Sequence, residues 1–554
     1  MKKLTKALKA FCYNPRHVPN EGDDQMKIRS SRAIFSLLFV LIVSAVAGGF
    51  AGTRVQAQGA QRTEDVDNSL RLFSNLLMLV EENAATEVDS DEAVFGAIDG
   101  MLRTLDPHSK FFNPKAFTAL REDQRGRYYG LGITVTTRFG KVTVVSPPFL
   151  GSPAEKVGLR VGDVLSQVNG ESTEGMDLND VVSRLKGPRG TTVKITVTRP
   201  GVDEPIPMSV VRDEIAKYTI SNAFMIRPKV GYIKLTNFAE TTGAELREAL
   251  RKLDYRTLDG LVFDLRNNPG GLLQEAIEVS EAFLQKGQMI VETRGRTRGS
   301  NRPYASQRLN TDNLYPVVIL INPSSASASE IVAGAIQDHD RGLIVGETSF
   351  GKGLVQSVYP LSKNAGLALT TQKWYTPSGR LIQRDYSQIS QFDYYNRRDE
   401  SSVEKQRQQE IKYSDLGRVV YGGGGITPDH VIGESKMNEF QDVLVKRFAF
   451  YTFVRDFLAK NPPIDLSFRV SDALIGEFKQ HLQKRGIQST DKDFQDNIDY
   501  LRRMIRYEVA YNRLGVSEAE RVILDGDPQV LKAIELMPEA RELATRARRQ
   551  IAVR

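Results

Sequence analysis

Between residues 230 and 345 the chain alternates short apolar runs with amphipathic ones, and few folds accept that rhythm. Residues 230–235, 258–265, 316–321 and 343–345 read as strands, and 243–253, 272–284 and 327–338 as helices. Strands alternating with helices predict a mainly parallel sheet with right-handed crossovers. Two stretches interrupt the pattern. Residues 294–313 are polar and read as a loop, and residues 384–420, rich in Gln, Arg, Asp and Glu, as a mobile insertion. The run Gly422–Gly425 followed by Ile426-Thr427-Pro428-Asp429 closes this α/β part.

The flanks have other periods. Residues 63–122 read as helices, with Leu70, Phe73, Leu76, Leu77 and Val80 at helical spacing and the pattern repeated from Asp91 to Leu105, where the turn Leu105-Asp106-Pro107-His108-Ser109 follows. Residues 126–212 alternate apolar and polar positions, as at Ile133 and Val135, Val142 and Val144, and Val193, Ile195 and Val197. Glycines punctuate them, and a helix is expected near 178–185. From 437 onward the pattern is helical, with Phe440 to Leu458 on one amphipathic helix that Pro462-Pro463 ends. A chain of 554 residues divides into several domains. The expected divisions are 1–32, 33–52, 63–122, 123–212, 213–434 and 435–554.

Residues 33–52 carry no charge, and twenty helical residues span a hydrocarbon core. Basic residues from Lys2 to Arg32 precede them and place the N-terminus in the cytoplasm. The expectation is a single-pass inner-membrane anchor, in contact with lipid, with everything after residue 53 extracytoplasmic. The alternative is a signal peptide cut near Val55-Gln56-Ala57 and secretion to the periplasm.

Composition excludes other classes. The single cysteine, Cys12, allows neither an internal disulfide nor a cysteine zinc site. No two of the five histidines lie at metal-ligand spacing, so neither a metal nor another cofactor is expected. The net charge of +7 comes from 75 basic and 68 acidic residues that intermix, which predicts no nucleic-acid partner.

Three segments carry chemistry. Pro323-Ser324-Ser325-Ala326-Ser327-Ala328-Ser329-Glu330 follows an apolar strand and opens a helix. A serine there has free backbone N–H groups beside it to hold an oxyanion. Ser327-x-x-Glu330 alone also fits a capping box. Phe350-Gly351-Lys352-Gly353-Leu354-Val355-Gln356 looks extended, which points Lys352 and Gln356 to one face. Burial takes the charge from such a lysine and makes it a base for a serine hydroxyl, with Gln356 orienting the amine. Alone, the segment fits better the commoner case of a surface lysine on a glycine-rich strand end. Asp264 to Gly271 ends a strand, and Gly270 and Gly271 expose N–H groups where negative charge can be held. His339 lies twelve residues after Ser327, about 18 Å along one helix, too far to serve it. His108 and His430 have no nucleophile beside them in sequence, and a turn or core role is expected for both.

Together the segments resemble the C-terminal processing peptidases, or tail-specific proteases. The resemblance rests on Ser325-Ala326-Ser327-Ala328-Ser329-Glu330, on Lys352 placed 25 residues after Ser327 with Gln356 four further on, and on Asp264 to Gly271. It runs over about residues 65–434 and leaves out the insertion and the C-terminal helices. It implies a ClpP/crotonase-like α/β peptidase core, with Ser327 as nucleophile, Lys352 as base, and an oxyanion hole from Ala328 with Gly270 or Gly271. Ser325 and Ser329 are the alternative nucleophiles. The β-rich module resembles a PDZ domain. Tyr129-Gly130-Leu131-Gly132 matches the carboxylate-binding loop, with Ile133 beside it, and Ser152-Pro153-Ala154 and Val168-Asn169-Gly170 fit later turns. Protein or peptide substrates with apolar C-termini are the expected partners, with an adaptor or a second copy for the C-terminal helices. The rival expectations are a tethered scaffold with an inert core and, from the α/β pattern alone, a crotonase-like enzyme.

Overall fold

The computed structural model describes residues 65–309, 315–387, 389–396, 410–460 and 468–553. The chain divides into two compact units, Met1–Ala97 and Ile98–Arg554. In the first, residues 65–83 form a helix on which Leu70, Phe73 and Leu76 are exposed. The second unit holds everything that follows.

Its centre is a six-stranded sheet. Val230–Leu235, Gly260–Asp264, Val317–Ile321, Leu343–Gly346 and His430–Val431 run parallel, and Ile220–Arg227 adds an antiparallel edge. Val317–Ile321 and Leu343–Gly346 are apolar throughout because both faces are covered. On Val317–Ile321, alternation sends Val317, Ile319 and Ile321 to one face, where they pack with Leu246, Ala276, Ile331 and Val332 of three helices. Those helices are Thr242–Lys252, Leu273–Glu281 and Ala328–Asp338. Val318 and Leu320 point the other way, onto Val530, Ala533 and Leu543 of helices Pro528–Glu535 and Met537–Val553. These last two C-terminal helices therefore form the second cover of the sheet, while the helices between 439 and 513 pack around a core of their own that includes Leu444, Phe453, Phe478 and Leu501.

Four expectations change. Residues 294–313 are not all loop: Met289–Gly295 and Arg302–Ala305 form an antiparallel hairpin, and buried Thr293 bonds to Ser300 O across it; residues 310–313 lie outside the described residues. That hairpin belongs to a second, antiparallel sheet with Lys110–Phe112, Leu354–Pro360 and Gly366–Tyr375. The stretch 384–420 contains helix Gln391–Asn396 and the hairpin of Ile411–Tyr413 with Val419–Tyr421. The amphipathic run from Phe440 breaks into Glu439–Lys446 and Ala449–Lys460 at Phe448, whose φ of 51° no α-helix accepts. Among the described residues no helix is long and apolar enough to cross a membrane. That finding overturns the single-pass inner-membrane localisation expected above; the apolar run 33–52 itself lies outside the described residues.

The β-rich module is a separate six-stranded antiparallel sheet with its own core of Val142, Leu165, Val168, Val181, Val193, Ile195 and Val197. Its helix is Leu178–Leu185, capped by Asp177. Arg127–Gly130 and Asp213–Ala216 enter and leave it as a two-stranded ribbon.

Candidate active site

The serine-rich segment is fixed by its outer serines. Ser325 Oγ donates to Leu265 O at 2.8 Å and accepts from Asn322 N–H, and Ser329 Oγ donates to Asn268 O at 3.0 Å. Both are fully buried. Ser327 alone of the three is partly exposed, and it lines a cleft of 590 Å³ with Lys352, Gln356, Gly270, Gly271 and Ala328. Its φ of 55° lies in the left-handed region, a strain of about 1–3 kcal/mol for a residue with a side chain. The surrounding hydrogen bonds hold it there.

Glu330 supplies most of them. It is fully buried, and its carboxylate accepts from Ser327 N–H (2.8 Å), Lys352 N–H (2.9 Å), Gly351 N–H (2.7 Å) and Ser349 Oγ (2.5 Å). The capping reading of Ser327-x-x-Glu330 thus holds, but the same carboxylate also joins the serine loop to the lysine loop. Burial pushes this carboxyl above its ordinary value against the pull of these four donors.

Lys352 precedes the strand Leu354–Pro360 rather than lying on it, and the register shifts between Val355 and Gln356. The two side chains meet through this irregular backbone, with Nζ donating to Gln356 Oε1 at 2.9 Å. Burial pulls the amine below the ordinary lysine value of 10.5, while Glu330 and Asp106 oppose it. Among the described residues, Ser327 Oγ and Lys352 Nζ share the cleft without a hydrogen bond between them. Gln356 Nε2 donates to His108 O at 2.6 Å. Asp106 builds that turn by accepting from His108 N–H, Ser109 N–H and Ser109 Oγ.

The glycine segment docks against the serine. A side chain at Gly270 would meet Ala326 O at 2.7 Å and Ser327 Cβ at 2.8 Å, and one at Gly271 would meet Phe238 O at 2.0 Å. Only glycine permits that approach. Gly270 N–H, expected as an oxyanion donor, is instead donated to Asn268 Oδ1 at 2.9 Å, because Asn268 Nδ2 is turned to Leu235 O. Ala328 N–H and Gly271 N–H have no protein acceptor among the described residues. Arg266 anchors the segment from behind, bonding Asp264 and, through Nη1, Asp527 and Gln529 of the C-terminal helices.

In the β-rich module, Leu131 O and Gly132 O are taken by Ala154 N–H and Phe149 N–H, both at 2.9 Å. Gly132 N–H and Ile133 N–H meet no protein acceptor among the described residues. Gly130 closes the entering ribbon opposite Asp213. Val135–Arg138 is an edge strand, paired on one side only. His339 and His430 stand elsewhere, on Asp415 (2.7 Å) and Glu539 (3.1 Å).

Residues 229–390 match the family model for peptidase family S41, and residues 144–199 match that for the PDZ domain. The carboxy-terminal-processing protease of Bartonella bacilliformis is 39% identical over 350 residues, 62% of this chain and 80% of its own length. The carboxy-terminal processing protease CtpB of Bacillus subtilis is 35% identical over 344 residues, 61% of this chain and 71% of its own. A photosystem II D1 C-terminal processing protease of solved structure is 28% identical, covering 63% of this chain and 84% of that one, with a TM-score of 0.34. The fold thus joins an S41 peptidase core to a PDZ domain and a helical C-terminal region. The chain belongs to the carboxy-terminal processing proteases, serine proteases of peptidase family S41.

Sequence reasoning missed two features of this site. It saw Glu330 only as a cap, although a single carboxylate opening an otherwise small and apolar helix was the available signal. It also left His108 without a partner, because the groups it meets come from the insertion.

Proposed function

We infer that this protease takes an apolar C-terminal tail on its PDZ module and cuts the tailed chain as an endopeptidase, with Ser327, Lys352 and Gln356 as its catalytic set. The observation that carries the reading is the contrast within one segment: Ser325 and Ser329 are fastened and buried, while Ser327 opens on the cleft that holds Lys352. Neutral Lys352 Nζ accepts the Ser327 hydroxyl proton as Oγ attacks the scissile carbonyl carbon. The carbonyl oxygen takes the negative charge beside Ala328 N–H and Gly271 N–H. Collapse of the tetrahedral adduct breaks the C–N bond, and the Lys352 proton leaves on the amine. Water, deprotonated by the same amine, then hydrolyses the acyl ester and frees Ser327. Gln356 Oε1 keeps Nζ aimed through both steps.

On the PDZ side, the open N–H groups of Gly132 and Ile133 suit a terminal carboxylate, and the free edge of Val135–Arg138 suits an added strand. An apolar-tailed peptide is therefore expected to show KM about tenfold or more below its C-terminal amide, since the amide lacks the charge-assisted bonds. Steady-state cleavage followed by mass spectrometry checks this. Equal KM for acid and amide overturns tail reading, and turnover by Ser327→Ala overturns the nucleophile.

A further inference from the structure

The family model ends at residue 390, and helix Gln391–Asn396 lies just past it. This helix packs Tyr394 and Tyr395 around His108, with ring centroids at 5.3 and 5.8 Å. Both imidazole nitrogens are occupied: Nε2 lies 3.1 Å from Tyr394 OH, and Nδ1 lies 2.9 Å from Tyr395 OH.

The proton directions follow from one backbone donor. Gly353 N–H is donated to Gln383 Oε1 at 2.8 Å, so Gln383 presents Nε2 to Tyr394 OH, at 3.0 Å. Tyr394 then accepts from Gln383 and sends its own proton to His108 Nε2. The imidazole proton is left on Nδ1, where Tyr395 OH accepts it and donates in turn to Pro107 O at 3.0 Å. Every donor in the series has an acceptor with the imidazole neutral. Its charged neighbours agree. Burial first, then Lys352 and Arg384, hold His108 down at about 3 against the opposing pull of Asp106.

The series closes on the base. Lys352 Nζ reaches Gln356, Gln356 reaches His108 O, and the His108 ring reaches Tyr394. Tyr394 returns through Gln383 to Gly353, the residue after Lys352. We propose that Tyr394 is a positioning residue for Lys352, closing a ring of hydrogen bonds through His108 and Gln383 that fixes Gln356 and so aims the amine at Ser327. The helix of the insertion is then part of the catalytic frame, although none of its residues lines the cleft. The proposal rests on the Ser327/Lys352 reading above.

Tyr394→Phe keeps the ring packed against Phe350 and His108 and removes only the link. It is expected to lower kcat for a tailed peptide about ten- to a hundredfold, the cost of a small misplacement of a catalytic group, with KM within twofold. In a Gln356→Ala background the same change is expected to cost nothing more, because it acts through Gln356. Gln383→Met opens the ring at the next link and carries the same test if the first variant does not fold. Unchanged kcat in a folded variant, a rise in KM alone, or the full loss repeated in the Gln356→Ala background overturns the proposal. Ser327→Ala run alongside separates the failures. Turnover by Ser327→Ala brings down the site and the ring together. An inactive Ser327→Ala beside a fully active Tyr394→Phe brings down the ring alone.

Discussion

Lys352→Ala is expected to lower kcat by about 10²–10⁴-fold, the usual contribution of a positioned general base, while tail binding persists. Ser327→Ala is expected to cost at least as much, and the double variant no more than the larger single one, since the two act as one unit. Lys352→Arg is expected to be as inactive as alanine, because a guanidinium stays charged and accepts no proton. The wild-type pH profile follows from the same burial. The proposed base must be neutral, so the rate is expected to rise with pH as Lys352 deprotonates. Because burial pulls its value below 10.5, the inflection falls below that of a free lysine. Stopped-time assays of one tailed peptide from neutral to alkaline pH check both statements. An inflection at or above the free-lysine value contradicts a buried lysine base, and so does an active Lys352→Arg.

The sheet was legible in the sequence because its physics is local and periodic. Val317 to Ile321 had to be buried on both faces, and Val230–Leu235 matches its expected limits residue for residue. The serine and lysine segments were legible for a different reason: small residues and glycines next to a reactive side chain mark a crowded backbone. The second sheet was hidden. Its strand Gly366–Tyr375 carries Thr370, Gln372 and Lys373 among its apolar positions, and its burial follows no regular alternation. The ring around Lys352 was hidden because it is non-local: His108 and Tyr394 are 286 residues apart. Gly270 misled for a local reason. Exposed glycine N–H groups were read as free, whereas the Asn268 side chain two residues earlier takes one of them.

Glu330 shows how a short-range motif conceals a long-range one, and it carries the other large effect. Its capping partner is three residues away, yet Ser349, Gly351 and Lys352 are 19, 21 and 22 residues away. Glu330→Gln is nearly isosteric, but one carboxylate oxygen becomes an NH₂. Each oxygen now accepts from two donors, and only Ser349 Oγ among the four can accept in return, so in either amide orientation at least one buried backbone N–H goes unpaired. An unpaired buried donor costs about 1–3 kcal/mol, so the variant is expected to lose about that much and show a lower urea midpoint. Glu330→Ala leaves all four donors without it and is expected to be worse. The sign of the pH effect is separate. A carboxyl held above 4.5 in the fold contributes stability that is full below 4.5 and lost as pH rises through its folded value. The wild type is therefore expected to lose a stability increment on that rise which Glu330→Gln does not lose. Urea titrations of both proteins across the acid range check this. A Glu330→Gln protein with wild-type midpoint and kcat contradicts the role of this carboxylate in holding the strained Ser327 backbone against the Lys352 loop.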